Sequence, residues 1–208
     1  MIQYLLFDLD NTLYSSRYGL ERNVVQRIGE FLSVRLGVTP EEALRIRRER
    51  KHYGTTLEWL QAEMDFVDIE DYYRAIHPEN EADTLLPDPE LRRFLETLPL
   101  PKAILTNSPR EHVDRVLKRL EIPVSLFTHI FEMRGNGFHG KPQPAVFYRA
   151  LAALGSAPES TLFIDDDLSY VQGYVALGGA GLLIDEADAH PQFSPRIREL
   201  RELTRHLA

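Results

Sequence analysis

Short apolar runs alternate with amphipathic stretches along most of this chain, and that alternation limits the folds open to it. The runs are IQYLLFD from Ile2, PKAILT from Pro101, THIFEM from Thr128, TLFIDD from Thr161 and GAGLLID from Gly179. Their length and their content of branched and aromatic residues are those of strands. Between them lie PELRRFLETL, REHVDRVLKRL, PAVFYRALAALG and LSYVQGYVALGG, where apolar residues recur at helical spacing. Strand and helix in succession predict a mostly parallel sheet covered on both faces, an α/β, Rossmann-like core.

One interval breaks the pattern. From Ser15 to Leu86 there is no strand signal, only helical pattern rich in Arg, Glu and Tyr. That is too long for a crossover loop, so residues 15–86 are expected to form a small helical domain inserted after the first strand, with residues 1–14 and 87–208 as the core. Pro87 and Pro89 in LLPDPE mark the return to the core. The stretch from Pro195 to Leu207 reads as a C-terminal helix, and oligomeric state is left open. A hydrophobic content of 43% in 208 residues supplies a real core.

Composition also removes function classes. A net charge of -8 gives no global attraction to a nucleic acid polymer or an anionic membrane. The absence of cysteine excludes disulfides, zinc-thiolate sites and thiol catalysis. Two acids and no basic residue in the first ten positions argue against a signal peptide, and no apolar run reaches membrane-spanning length. A cytoplasmic protein acting on a small soluble metabolite is expected. The seven histidines show no metal-ligand spacing.

In an open parallel sheet, ligands bind at the carboxyl ends of the strands. The first run ends in Asp8 and Asp10, the second in Thr106-Asn107-Ser108 and the fourth in Asp165-Asp166-Asp167, while Gly140-Lys141-Pro142-Gln143-Pro144 places a lysine just before a helix. Two carboxylates one residue apart repel, so a metal ion, a lysine or an arginine is expected beside them. Acidic strand ends make a hard oxygen site suited to Mg²⁺. Asp8 can attack phosphorus, and Asp10 can act as general acid and then general base. Thr106 and Lys141 can stabilise charge on a transferring phosphoryl group. Each signal alone has a plain structural reading as a turn or a helix cap. Their conjunction, in fixed order at one sheet edge, selects the catalytic one.

FDLDNTLY, LTNS, KPQP and FIDDD, in this order, resemble the four motifs of the haloacid dehalogenase-like hydrolase superfamily. The resemblance covers Ile2 to about Asp185, and the helical insertion is similar to that family's C1-type cap. It implies Asp8 as nucleophile, Asp10 as acid/base, Thr106 and Lys141 as phosphate ligands, and a Mg²⁺ site from Asp8, Asp10, Asp165 and Asp166. The second Asp of D-x-D implies a phosphatase rather than a dehalogenase. DNTLY, RKHYGTTLEWL and LLPDPELRRFL resemble the pyrimidine 5′-nucleotidase branch, which implies a nucleoside monophosphate. A phosphatase for phosphoglycolate or another small metabolite, a phosphomutase, and a non-catalytic binding protein are the alternatives.

The chain departs from that branch at two positions. Asp167 stands where Ser is usual, and Tyr170 where Asn is usual. Asp166 is therefore expected as the direct metal ligand with Asp165 as its partner, while Asp167 is expected to cap the following helix. Tyr14 and Tyr18, just past the nucleophile, are read as substrate contacts together with Asn107. Trp59 reads as core, and the basic stretch RIRRERKHY from Arg45 as a solvated helix face.

Overall fold

The computed structural model describes residues 1–50 and 52–207, so Lys51 of the basic stretch lies outside the described residues. The five expected strands are β1 (Tyr4–Phe7), β2 (Lys102–Leu105), β3 (His129–Phe131), β4 (Thr161–Asp165) and β5 (Ala180–Ile184), and a short β6 (Arg196–Ile197) follows. All neighbours pair in parallel in the order β3-β2-β1-β4-β5-β6. Strand order reverses at β1, which pairs with β2 on one side and β4 on the other. That reversal opens a crevice where the ends of these three strands meet.

The pleat sorts the strand side chains into two cores. Leu5, Phe7, Ile104, Leu162 and Ile164 point to one face, and Leu6, Ala103, Leu105 and Phe163 to the other. Helices α5 (Pro89–Thr97) and α6 (Arg110–Arg119) cover the first face through Leu91, Leu95, Val113, Val116 and Leu117. Helices α7 (Pro144–Leu154) and α8 (Leu168–Ala176) cover the second through Val146, Phe147, Ala150 and Tyr174. Burial on both faces explains why the strands read as near-continuous apolar runs.

The strandless interval forms α1 (Leu20–Leu36), α2 (Pro40–Arg48), α3 (Thr56–Met64) and α4 (Ile69–Ile76). Local chemistry sets their ends. Gly37 closes α1 in a left-handed conformation (φ 66), Thr39 caps α2 with Pro40 in its first turn, and Thr55 and Glu58 form a reciprocal capping box on α3. These helices share their own apolar cluster of Ile28, Phe31, Leu32, Leu57, Leu60 and Tyr72, and the buried Trp59 belongs to it as expected. Leu20, Ala82 and Leu85 pack instead with the sheet, so both ends of the 15–86 interval are anchored on the core. No helix among the described residues is long and apolar enough to cross a membrane.

The C-terminal reading needs correction. Pro195 to Leu207 is not one helix but β6 followed by a 3-10 segment, Leu200–His206. The free edge of β5 decides this: Leu183 N–H donates to Pro195 O and Asp185 N–H to Ile197 O, drawing the segment into the sheet. Leu200 and Leu203 then pack into the core beside it.

Candidate functional site

The ends of β1, β2 and β4 bring Asp8, Thr106 and Asp165 to one edge. Lys141, from the loop between β3 and α7, reaches in between. Its Nζ donates to Asp8 Oδ1 and to Asp165 Oδ2, both at 2.6 Å, with the lysine and Asp165 each only 1% exposed. Asn107 holds the lysine backbone: Lys141 N–H donates to Asn107 Oδ1 (2.7 Å), and Asn107 Nδ2 donates to Lys141 O (3.1 Å). Burial alone would lower the lysine, but Asp165 and Asp8 overcome it and hold the ammonium above its ordinary range. Burial pushes both carboxyls up against the pull of that ammonium.

Asp166 completes an acidic triad. Oxygens of Asp8, Asp165 and Asp166 lie within 4.8 Å of one another. Asn11 Nδ2 donates to Asp166 Oδ2 at 3.2 Å, yet burial and the neighbouring Asp165 push Asp166 up to about 8. Three carboxylates share one ammonium here. That shortfall of positive charge, with an all-oxygen donor set, fits a hard divalent cation such as Mg²⁺. Asp167 does not contribute: its side chain caps α8, accepting from Ser169 N–H at 2.7 Å, as its position predicts.

Asp10 faces elsewhere. Its carboxylate is not among the oxygens of the acidic triad but is gripped by three donors. Tyr14 Oη (2.5 Å) and His112 Nε2 (2.6 Å) donate to Oδ1, and Ser108 Oγ (2.7 Å) donates to Oδ2. Burial would raise Asp10, but the charge of His112 and these hydrogen bonds bring it well below the usual carboxylate range. His112 is pushed up to about 10, because Asp10 and Glu81 outweigh the burial that would lower it.

Other expected contacts are redistributed. Tyr14 and Tyr18 do not line the cleft. Asn11 takes a left-handed conformation (φ 55), and Tyr14 packs in the sheet core, edge-on to Tyr18, with its hydroxyl on Asp10. Thr106 and Asn107 do line the cleft. The Asn107 amide is engaged with Lys141, as above, and with the Tyr170 hydroxyl, to which it donates at 3.2 Å. Arg45 pairs with Glu42 and Glu49 in solvent, as a solvated face would, whereas Arg47 opens onto the cleft.

The cleft is a cavity of about 460 Å³ between the strand ends and the helical insertion. Its floor carries Asp8, Lys141 and the acidic triad. The insertion lines the cavity with apolar Val24, Val25, Ile28 and Tyr72 from α1 and α4 as well as polar Glu21, Arg47 and Thr56, and Met133 joins them from the core. The insertion also grips the lysine loop, because the buried Glu58 accepts from His139 Nδ1 (2.8 Å) and Gln143 Nε2 (2.6 Å). Gly54 and Gly140 meet there, and a side chain on Gly140 would overlap Thr55 and crowd Asn107.

Sequence reading missed His77, Glu81 and His112. His77 and Glu81 lie four residues apart, but no spacing joins them to His112, and the ligand-type atoms of all three come within 4.8 Å in the fold. The available signal was His112 itself, on the buried face of REHVDRVLKRL with Val113, Val116 and Leu117.

Residues 2–178 match the haloacid dehalogenase-like hydrolase family, and the chain belongs to it. It is 30% identical over 187 residues to "Phosphate metabolism protein 8" of Saccharomyces cerevisiae, covering 83% of this chain but only 58% of the yeast protein's length. It is 26% identical over 211 residues to a phosphoglycolate phosphatase of Mannheimia succiniciproducens, covering 90% of this chain and 91% of that one. Among solved structures, a HAD phosphatase from Thermococcus onnurineus superposes with a TM-score of 0.67 at 22% identity, covering 100% of this chain and 98% of that chain.

Proposed function

We propose that this hydrolase is a Mg²⁺-dependent phosphomonoesterase that works through an aspartyl-phosphate on Asp8. The observation that carries the reading is the buried Asp8–Lys141–Asp165 contact beside a second acid, Asp10, two residues on. Asp8 Oδ attacks phosphorus and the bond to the leaving oxygen breaks, while Asp10, ionised in the free protein and protonated once the negative charge of the bound phosphate raises it, gives that oxygen its proton. Water then loses a proton to the Asp10 carboxylate and attacks phosphorus, the Asp8–phosphorus bond breaks, and phosphate leaves with Asp8 restored. Lys141 stays charged throughout and stabilises the non-bridging oxygens together with the Thr106 hydroxyl. Asp8, Asp165 and Asp166 would hold Mg²⁺, which supplies charge neutralisation for the phosphoryl oxygens. The helices of the insertion serve as a cap that keeps bulk water from the cleft.

The favoured substrate is a nucleoside monophosphate. The apolar Val24, Val25, Ile28 and Tyr72 in the cleft lining support a planar, weakly polar group carried by the phosphate. A small acidic phosphate such as phosphoglycolate is the second reading, supported by Arg47 in the cleft, whose guanidinium suits a carboxylate. Phosphate release from nucleoside monophosphates and small acid or sugar phosphates, with Mg²⁺ and with EDTA, tests both. Metal-dependent release from UMP or CMP supports the first, and preference for phosphoglycolate the second. Silence from folded protein across the panel overturns the phosphatase reading.

A further inference from the structure

We infer that His112, braced by Glu81, is a positioning residue that aims the Asp10 carboxyl for its two proton transfers. The inference rests on the reading of Asp10 as the acid/base and adds residues outside the four motifs. Asp10 follows β1 in an irregular turn, and nothing in its own backbone fixes a side chain with two free torsions. Three donors from three places fix it: Tyr14 from the same turn, Ser108 from the end of β2, and His112 from α6. Among the described residues, the His112 contact is the only one of the three backed by a further charged side chain. Its Nδ1 lies 3.0 Å from Glu81 Oε1, within ion-pair range though off the hydrogen-bond direction, and the ring is 1% exposed.

Glu81 is buried and fixed in its turn. Arg115 Nη1 donates to its Oε1 at 2.9 Å, and His77 Nδ1 lies 2.7 Å from its Oε2. The same arginine reaches the His77 carbonyl at 3.1 Å. A line of contacts therefore runs from the segment after α4, through Glu81 and His112, to the acid beside the nucleophile. This arrangement repeats the general logic by which a buried carboxylate orients an imidazole that in turn serves the reacting group. Two histidines and a glutamate also suggest a metal cluster. Against it, the Arg115 guanidinium occupies the same carboxylate, and the positive charges of Arg115 and His112 already answer Glu81 and Asp10.

The test compares His112→Ala, His112→Gln and Glu81→Gln with Asp10→Asn in the Mg²⁺-loaded enzyme, using the best alkyl monophosphate of the panel and 4-nitrophenyl phosphate. His112→Ala is expected to lose about 100-fold in kcat with KM changed less than about threefold, the scale of a misaimed general acid. Glutamine places an amide donor where Nε2 was, so His112→Gln is expected to regain at least about tenfold of that loss. The aryl ester, whose leaving group needs no proton, is expected to keep its burst of nitrophenolate in both variants. Loss of the nitrophenolate burst together with the alkyl ester's turnover, no rescue by glutamine, or wild-type rates in His112→Ala would overturn the inference, as would stoichiometric zinc in the purified protein. Should His112→Ala fail to fold, the glutamine variants carry the same comparison. If Asp10→Asn itself keeps full activity, the acid/base reading fails; if Asp10→Asn is inactive while His112→Ala is normal, only the role of His112 fails.

Discussion

Replacing Lys141 by methionine keeps an unbranched side chain only one atom shorter and deletes its charge, which isolates what the ammonium does. In the native protein it is buried between Asp8 and Asp165, 2.6 Å from each. Without it, two buried carboxylates face each other with no cation. Removing one partner of a buried ion pair costs about 3–5 kcal/mol, because the remaining charge is left uncompensated. For a chain of this size each kcal/mol lowers Tm by roughly 2–4 °C, so a fall of roughly 6–20 °C is expected in EDTA at about pH 8. The pH dependence gives the cause. Burial already pushes Asp8 and Asp165 up, and losing the ammonium that opposes burial pushes them further. An acid with a raised folded pKa favours the folded state when protonated, so the deficit is small near pH ~4, where both carboxyls are protonated in either protein, and grows as pH rises through the raised values they have beside the lysine. Thermal unfolding of both proteins across that range is the assay. Equal Tm values at about pH 8, or a deficit that does not change with pH, would refute the charge argument and leave only packing.

Other perturbations probe the rest of the site. Asp8→Asn is expected to fold normally and to lose turnover by at least about 1,000-fold in a phosphate-release assay, since the amide oxygen is a poor nucleophile. Burial and Asp165 push Asp166 up to about 8, so protons compete with the metal. Mg²⁺ affinity measured by calorimetry is expected to fall by up to about tenfold per pH unit below that value, and pH-independent binding would contradict the acidic triad as the site. Gly140→Ala is expected to lower kcat/KM by at least about tenfold, because the new methyl collides with Thr55 and crowds the Asn107 side chain that holds the Lys141 backbone. Wild-type kinetics in that variant would show that the insertion need not sit against the lysine loop.

What could be read from the sequence was what is local or periodic. β1 ending in Asp8, β4 ending in Asp165 and the four helices around the sheet follow from apolar periodicity, and strand order then places the acids at one edge. β6 was not legible because two residues carry no pattern; it exists because β5 offers a free edge. Tyr14 and Tyr18 were expected at the substrate because they follow the nucleophile closely. The turn at Asn11 instead sends Tyr14 into the core, with its hydroxyl under Asp10. Asn107 looked like a substrate contact, and the fold engages its amide with Lys141. His77 and Glu81, four residues apart, meet His112 only because the segment after α4 returns along α6, a juxtaposition that no spacing records.

Acid quenching during turnover of a radiolabelled monophosphate, followed by peptide mapping, tests the central claim most directly. The account predicts label on the N-terminal peptide at Asp8, absent in Asp8→Asn and chased off as phosphate when unlabelled substrate is added. Steady phosphate release with no label on Asp8, or with label on another residue, would contradict it.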